Sequence, residues 1–250
     1  MRIMFLRHRP RGEKEASTEE TVLSLLRSYA RPDTDIDMHY PADFPGSQAQ
    51  GVMASRNVLN GLYHTLEAPG LVRKAVEARA AGYDAVVQGN SFEPGVEASR
   101  LAVDIPVVGP LKTSLHVAAT LADKIGLTVP LDGHVPYVRR LVEAYGFGRA
   151  LAGVRAMGVY KGATPDQVTD SLEKRAKELV SDDGAQIIIP LGAAMIPYVV
   201  RPESIQERVG YPVINTVSTA IGFAEMLVAR GMRHSELAYP FTPLAPEDVS

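Results

Sequence analysis

A set of short, strongly apolar runs, each ending in a loop of small residues ahead of a helix start, narrows the folds open to this chain. AVVQGNSFEPG, residues 85–95, is the sharpest case. Ala85–Val87 is too short for a buried helix and too apolar for a solvent-facing strand, so it reads as a buried parallel strand. The run stops at Gly89, and Pro94 followed by VEASRLAV marks a helix beginning just beyond. Asn90, Ser91, Phe92 and Glu93 occupy the gap. Ligands of open α/β sheets bind outside the carboxyl ends of the strands, which makes this loop the first candidate site.

The same alternation runs along the chain. Arg2–Leu6 predicts a first strand, followed by the polar loop RHRPRGEKEA. Ser17 with Glu20 three residues on predicts a capping box, and Val22, Leu25, Leu26 and Tyr29 form the apolar stripe of the helix behind it. Asp35–Tyr40 alternates as an edge strand would. Pro41–Ala68 reads as a long irregular loop, and loops of that length are usually functional or mobile. Leu71–Ala81 is helical up to Gly82. Asp104–Val108, Ile125–Val129, Val154–Tyr160, Gln186–Ile189 and Pro212–Ile214 read as strands. Helices are predicted over Thr113–Asp123, Val135–Tyr145 and Ser218–Arg230, and from Thr164 as N-cap with Pro165 at the first helical position. About eight strands interleaved with helices imply parallel sheets covered on both faces.

GYDAVVQGN-SFEPG near residue 90 is echoed by GAQIIIPLG-AAMIP near residue 192, and each continues to a strand containing Pro (DIPVV, YPVIN). Two similar α/β halves follow, their paired loops expected to face one another across a cleft. At 250 residues, 46% hydrophobic and 22% charged, the chain can bury two such cores. The net charge of −3 and a pI of about 6.1 argue against a nucleic-acid or polyanion partner. Cysteine is absent, which excludes a disulfide, a thiolate metal site and a thiol nucleophile. No apolar run approaches the roughly 20 residues of a membrane span. MRIMFLRHRP has its basic residues after its apolar stretch, the wrong order for a secretory signal, so a cytoplasmic protein with no membrane partner is expected.

The segments GYDAVVxGNxFEPGVEASR, DIPVVG, SLHVAATLA, LVEAYG, DGAQIIIPLGAAM and GYPVINTV together resemble the aspartate/glutamate/hydantoin racemase superfamily, in its hydantoin racemase-like branch, over nearly the whole chain. The resemblance implies two pseudo-symmetric α/β domains, each a four-stranded parallel sheet flanked by helices, with the active-site cleft between them. The expected division is 1–108 plus 216–250 for the first domain and 109–215 for the second. It further implies a small-molecule substrate, no cofactor and a homo-oligomer. Such enzymes use two cysteines as base and acid, one at each site loop. Here those positions match Asn90 and Gly192, neither of which transfers a proton at neutral pH. The Asn-Pro-Asn usual after the first strand is replaced by Arg7-His8-Arg9-Pro10, and the acidic residue that often follows the final strand by Asn215.

Chemistry must then come from other groups. His8, Glu93 and His134 are the candidate acid/base residues. His8 lies between two arginines whose charge favours the neutral imidazole, a useful base. Glu93 sits at a helix start, where a carboxylate serves as a cap more often than as an acid. His134 follows a strand end and is expected to pair locally with Asp132. Arg7 and Arg9 could hold a substrate carboxylate in bidentate fashion. Asn90 with nearby backbone amides could hold an oxyanion, the competing reading being a helix cap. Ser91, Phe92, Thr113, Gly192, Ala193 and Tyr198 complete the candidate substrate-binding set, Gly192 by widening the pocket. His116 reads as a structural histidine bonded to a carbonyl. No HxH or HExxH spacing is present, so no metal is expected. Two functions stay open on these grounds. One is a cofactor-independent isomerase, lyase or hydrolase acting on a small carboxylate, cyclic amide or hydantoin without thiols. The other is an inactive binding or accessory protein on the same scaffold.

Overall fold

A computed structural model describes all residues except 43–48, 57, 59, 161, 193–195 and 250. The chain divides into two compact units. Unit 1 comprises Met1–Gln48, Leu62–Pro110 and Ala220–Ser250, and unit 2 comprises Ala49–Gly61 and Leu111–Thr219.

Unit 1 is built on a parallel sheet of β1 (Arg2–Leu6), β2 (Asp35–His39), β3 (Ala85–Gln88) and β4 (Val107–Val108), in the order β2-β1-β3-β4. Every side chain of β3 is buried, as expected of a strand covered on both faces. Met4, Leu6, Val86 and Val107 pack against Leu71, Ala75, Ala78 and Val96, which belong to α3 (Leu62–Ala80) and α4 (Val96–Ala102). Helix α1 (Glu13–Tyr29) follows β1 and buries Val22, Leu25 and Leu26. It begins with Gly12 as N-cap, five residues before the predicted capping box at Ser17, so Ser17 lies inside the helix. Leu62–Ala68 likewise belongs to α3 rather than to the predicted loop. Pro69 within that helix, followed by Gly70, is what made the stretch read as irregular.

Unit 2 opens with the short helix α2 (Ala49–Ser55), also within the predicted loop. Its sheet has the order β6-β5-β7, from β5 (Ile125–Val129), β6 (Leu151–Ala156) and β7 (Ile187–Pro190). The fourth strand is reduced to a parallel bridge between Ile188 and Val213, with Ile188 N–H donating to Pro212 O and Ile214 N–H to Ile188 O. Helices α5 (Pro110–Leu121), α6 (Val135–Ala144) and α7 (Pro165–Ser181) connect the strands. The capping box at Thr164 and Gln167 forms as predicted. β6 starts and ends earlier than Val154–Tyr160 because Gly158, at φ 74°, turns the chain away, and its half-buried edge position weakens the apolar signal. A further helix, α8 (Pro202–Val209), was not anticipated; Pro202 at its first turn and Gly210 at its end were the available signals. Helix α9 (Thr216–Ala229) closes the core elements. No described helix is long and apolar enough to cross a membrane.

Candidate functional site

Both sheets reverse strand order at their centre: β1 is flanked by β2 and β3, and β5 by β6 and β7. That reversal opens a crevice at the carboxyl ends of the two central strands. In unit 1 the chain leaves β1 into Arg7-His8-Arg9 and β3 into Gly89–Glu93. Leu6 is level with Gln88, and Gly89 N–H donates to Leu6 O at 2.7 Å. In unit 2 Thr128 is level with Pro190, and Leu191 N–H donates to Thr128 O at 2.9 Å. Asn90 and Gly192 each stand one residue beyond the amide that closes the ladder.

The loop after β3 is held by its own side chains. Gln88 accepts the Asn90 N–H and donates to Pro94 O, so one buried amide fastens both ends of the turn. Asn90 Oδ1 accepts the Phe92 N–H at 2.9 Å, and Glu93 N–H donates to Asn90 O. Four of the five backbone amides from Gly89 to Glu93 are thus used inside the fold, which removes most of the backbone donors expected to hold an oxyanion. The Asn90 Nδ2 group makes no hydrogen bond to any described residue, and its orientation is set because Oδ1 must face the Phe92 amide. Asn90 caps this turn and also presents a donor.

Glu93 adopts φ 58°, a left-handed conformation rare outside glycine, and is buried. Its carboxyl lies against Gly109, where an added Cβ would come within 2.3 Å of Oε1. Gly95, at φ 74°, approaches Ala68 of α3 so closely that a Cβ would meet its carbonyl oxygen at 3.0 Å. These two approaches seat the loop on α3 and on the end of β4.

Helix α3 contributes Glu67, which sequence reading missed, and sets it beside His64. His64 and Glu67, three residues apart on its buried face, are 2% and 1% exposed. Glu67 Oε1 is 3.3 Å from His8 Nδ1, and Glu67 Oε2 is 3.9 Å from His64 Nδ1. The His64 ring packs 4.9 Å from that of Phe92. Burial pushes the Glu67 carboxyl up, but the His8 charge, the His8 hydrogen bond and the nearby His64 ring outweigh it and hold Glu67 below the usual carboxylate value. Burial, the largest influence on His64, holds that ring below its ordinary value, so it is neutral near pH 7. Two polar residues at i and i+3, directly after Tyr63, were the signal available, obscured by the following proline.

The remaining candidates fall as follows. Arg7, Arg9 and Ser91 are half-buried, and the Arg7 N–H donates to His39 O. Thr113 is buried on α5, and Tyr198 is half-buried in the turns after β7. Gly192 takes φ 69°, while Ala193 lies outside the described residues. His134 ends a short 3-10 turn and is fully buried, whereas Asp132 stays exposed; the expected hydrogen bond between them is not formed, because the turn sends the ring inward. His116 Nδ1 is bonded to Lys112 O, as expected of a structural histidine. Asn215 Oδ1 accepts from Val217 and Ser218 N–H at the start of α9, and its Nδ2 donates to Glu203. No group of three or more potential metal ligands occurs among the described residues.

Comparison with known proteins agrees with this architecture. A hydantoin racemase from Rhizobium meliloti is 28% identical over 237 residues, covering 92% of each chain. Solved structures of allantoin racemase from Klebsiella pneumoniae (TM-score 0.81, 22% identity, covering 97% of this chain and 94% of that one) and from Pseudomonas fluorescens (TM-score 0.79, 24% identity, 97% of each) share the fold. The family model described as Asp/Glu/Hydantoin racemase matches residues 16–224, and the chain belongs to that family of enzymes.

Proposed function

We propose that the protein is a cofactor-independent enzyme that removes the proton from the carbon beside a carbonyl in a hydantoin- or allantoin-like cyclic amide. The observation that carries this reading is the meeting of His8 and the Asn90 loop at the ends of two adjacent strands. The hydantoin and allantoin racemases that it resembles supply the substrate class. His8 takes the proton, the C–H electron pair passes into an enolate, and Asn90 Nδ2–H donates to the oxygen that gains the charge. Arg7 and Arg9 bind a carboxylate or polar substituent of the substrate. The His8 imidazolium returns its proton to the same face and restores the starting enantiomer, whereas solvent water protonating the opposite face inverts the centre, the hydroxide left behind taking the proton from His8. Glu93, turned to Gly109, serves this scheme as a clamp on the loop.

Incubating allantoin and benzylhydantoin with the enzyme in D2O tests the reading. NMR is expected to show deuterium entering the carbon beside the carbonyl faster than in buffer, with loss of optical rotation, and His8→Ala is expected to abolish the excess. Exchange no faster than in buffer with the native protein overturns it.

A further inference from the structure

We infer that Glu67 is the positioning residue for His8, anchoring Nδ1 so that Nε2 is the nitrogen that takes the proton. This rests on the reading of His8 as the base.

A carboxylate only 1% exposed is almost never left unpaired, because the interior repays the loss of hydration only through close partners. Glu67 has one within hydrogen-bond reach, His8 Nδ1 at 3.3 Å from Oε1, while His64 Nδ1 lies 3.9 Å from Oε2. An ionised carboxylate accepts hydrogen bonds and donates none, so the His8 proton lies on Nδ1, facing Oε1. Nε2 of the neutral ring then carries the lone pair. That nitrogen makes no hydrogen bond to any described residue, and the His8 side chain is 19% exposed, so a substrate can reach it. When Nε2 takes the proton, the C–H bond breaks, its electron pair enters the enolate, and the new imidazolium is balanced by Glu67. His64 packs on Phe92 and so joins the carboxylate to the loop that carries Asn90. Base and oxyanion donor are therefore set by one turn of α3.

The test uses the full chain with 15N-labelled histidine at pH 8.5. Two-bond proton–nitrogen NMR is expected to show His8, assigned through His8→Gln, as the Nδ1–H tautomer in the native protein. In Glu67→Gln it is expected to shift toward a mixture of tautomers. In the same variant, kcat for deuterium exchange into benzylhydantoin is expected to fall about 100-fold or more with KM within about 3-fold, and Glu67→Asp to recover part of the loss. A native His8 protonated on Nε2 overturns the inference, as does a folded Glu67→Gln with tautomer and kcat unchanged. The tautomer measurement needs no substrate. Absence of native turnover would therefore overturn the hydantoin reading while the NMR result still decides the role of Glu67. If Glu67→Gln does not fold, the native tautomer alone decides.

Discussion

At the ends of β1 and β3, unit 1 places a histidine against a buried carboxylate, two arginines and an asparagine amide. At the equivalent ends of β5 and β7, unit 2 places a fully buried histidine and a glycine in the left-handed region. The two backbones agree to the residue in register, with Leu6 beside Gln88 and Thr128 beside Pro190. What differs is the supporting layer. Unit 1 has α3 beneath its loop, offering Glu67 and His64, and the Asn90 turn is fastened by Gln88. Topology explains why each unit has a crevice, and the proposed proton transfer rests on the buried carboxylate, Glu67, that unit 1 adds to its own.

The sharpest way to break this contrast is to remove each histidine in turn. His8→Ala is expected to lower kcat for exchange by about 1,000-fold, within the range for loss of a general base. His134→Ala should leave kcat of the folded protein within about 2-fold and instead cost about 2–4 kcal/mol of stability, the price of a truncated, fully buried side chain with polar atoms. Equal losses of kcat measured on folded protein would show that both units carry chemistry.

Asn90 and Gly192 allow a milder comparison. Asn90→Ala removes the amide donor and is expected to lower kcat about 100-fold, as for loss of one oxyanion donor. Gly192→Ala forces a side chain into φ 69° and is expected to cost about 1 kcal/mol in chemical denaturation, with a smaller effect on kcat. A kcat loss at Gly192→Ala matching that at Asn90→Ala would remove the distinction.

Much of the frame was legible because buried parallel strands announce themselves: Arg2–Leu6, Ala85–Gln88 and Ile125–Val129 are short apolar runs bracketed by loops and helix starts. The Asn90 loop was legible for the same reason, since a strand end and a helix start bracket it. Edge elements were less so. β4 shrank to two residues, and β6, half-buried, shifted toward its start. Glu67, and the packing of His64 under the loop, were missed. His64 and Glu67 lie some 25 residues from Asn90 in sequence and on a helix interrupted by Pro69, so no local pattern joins them to it. The pairing of His8 with Glu67 spans 59 residues and exists only in three dimensions. The same limit applies to Glu93, whose burial against Gly109 is invisible to a rule that places carboxylates at helix starts.

The clamp around the loop should register as stability. Gly109→Ala drives a methyl to 2.3 Å from the Glu93 carboxyl, and Gly95→Ala combines φ 74° with a 3.0 Å approach to the Ala68 oxygen. Each is expected to cost about 2 kcal/mol, a fall in Tm of about 4–8 °C for a chain of this size. In Gly109→Ala, the Glu93 carboxyl must move, so Glu93→Gln in that background should add little further loss. Full additivity of the two would show that they do not share a contact.

The smallest expected effect is a dependence of stability on pH that belongs to unit 1. His64 has its folded value below 6.5, chiefly through burial, with the His8 charge in the same direction and Glu67 opposing. A depressed value means that the folded state binds the proton less readily than the unfolded chain. The stabilisation is therefore complete above 6.5 and is lost as the pH falls through the folded value. His39, also lowered by burial, adds to the same loss. Glu67 has the same sign at more acid pH: its contribution is present above 4.5 and lost below, as its carboxylate is protonated. The native protein is expected to lose about 2–4 °C in Tm between pH 7.5 and pH 5.5, a change of about 1 kcal/mol at this chain length. His64→Phe keeps the packing on Phe92 without a titrating ring and should flatten part of that slope, His39 retaining the rest. An unchanged slope in His64→Phe would place the titration elsewhere and detach the buried cluster on α3 from the acid sensitivity of the fold.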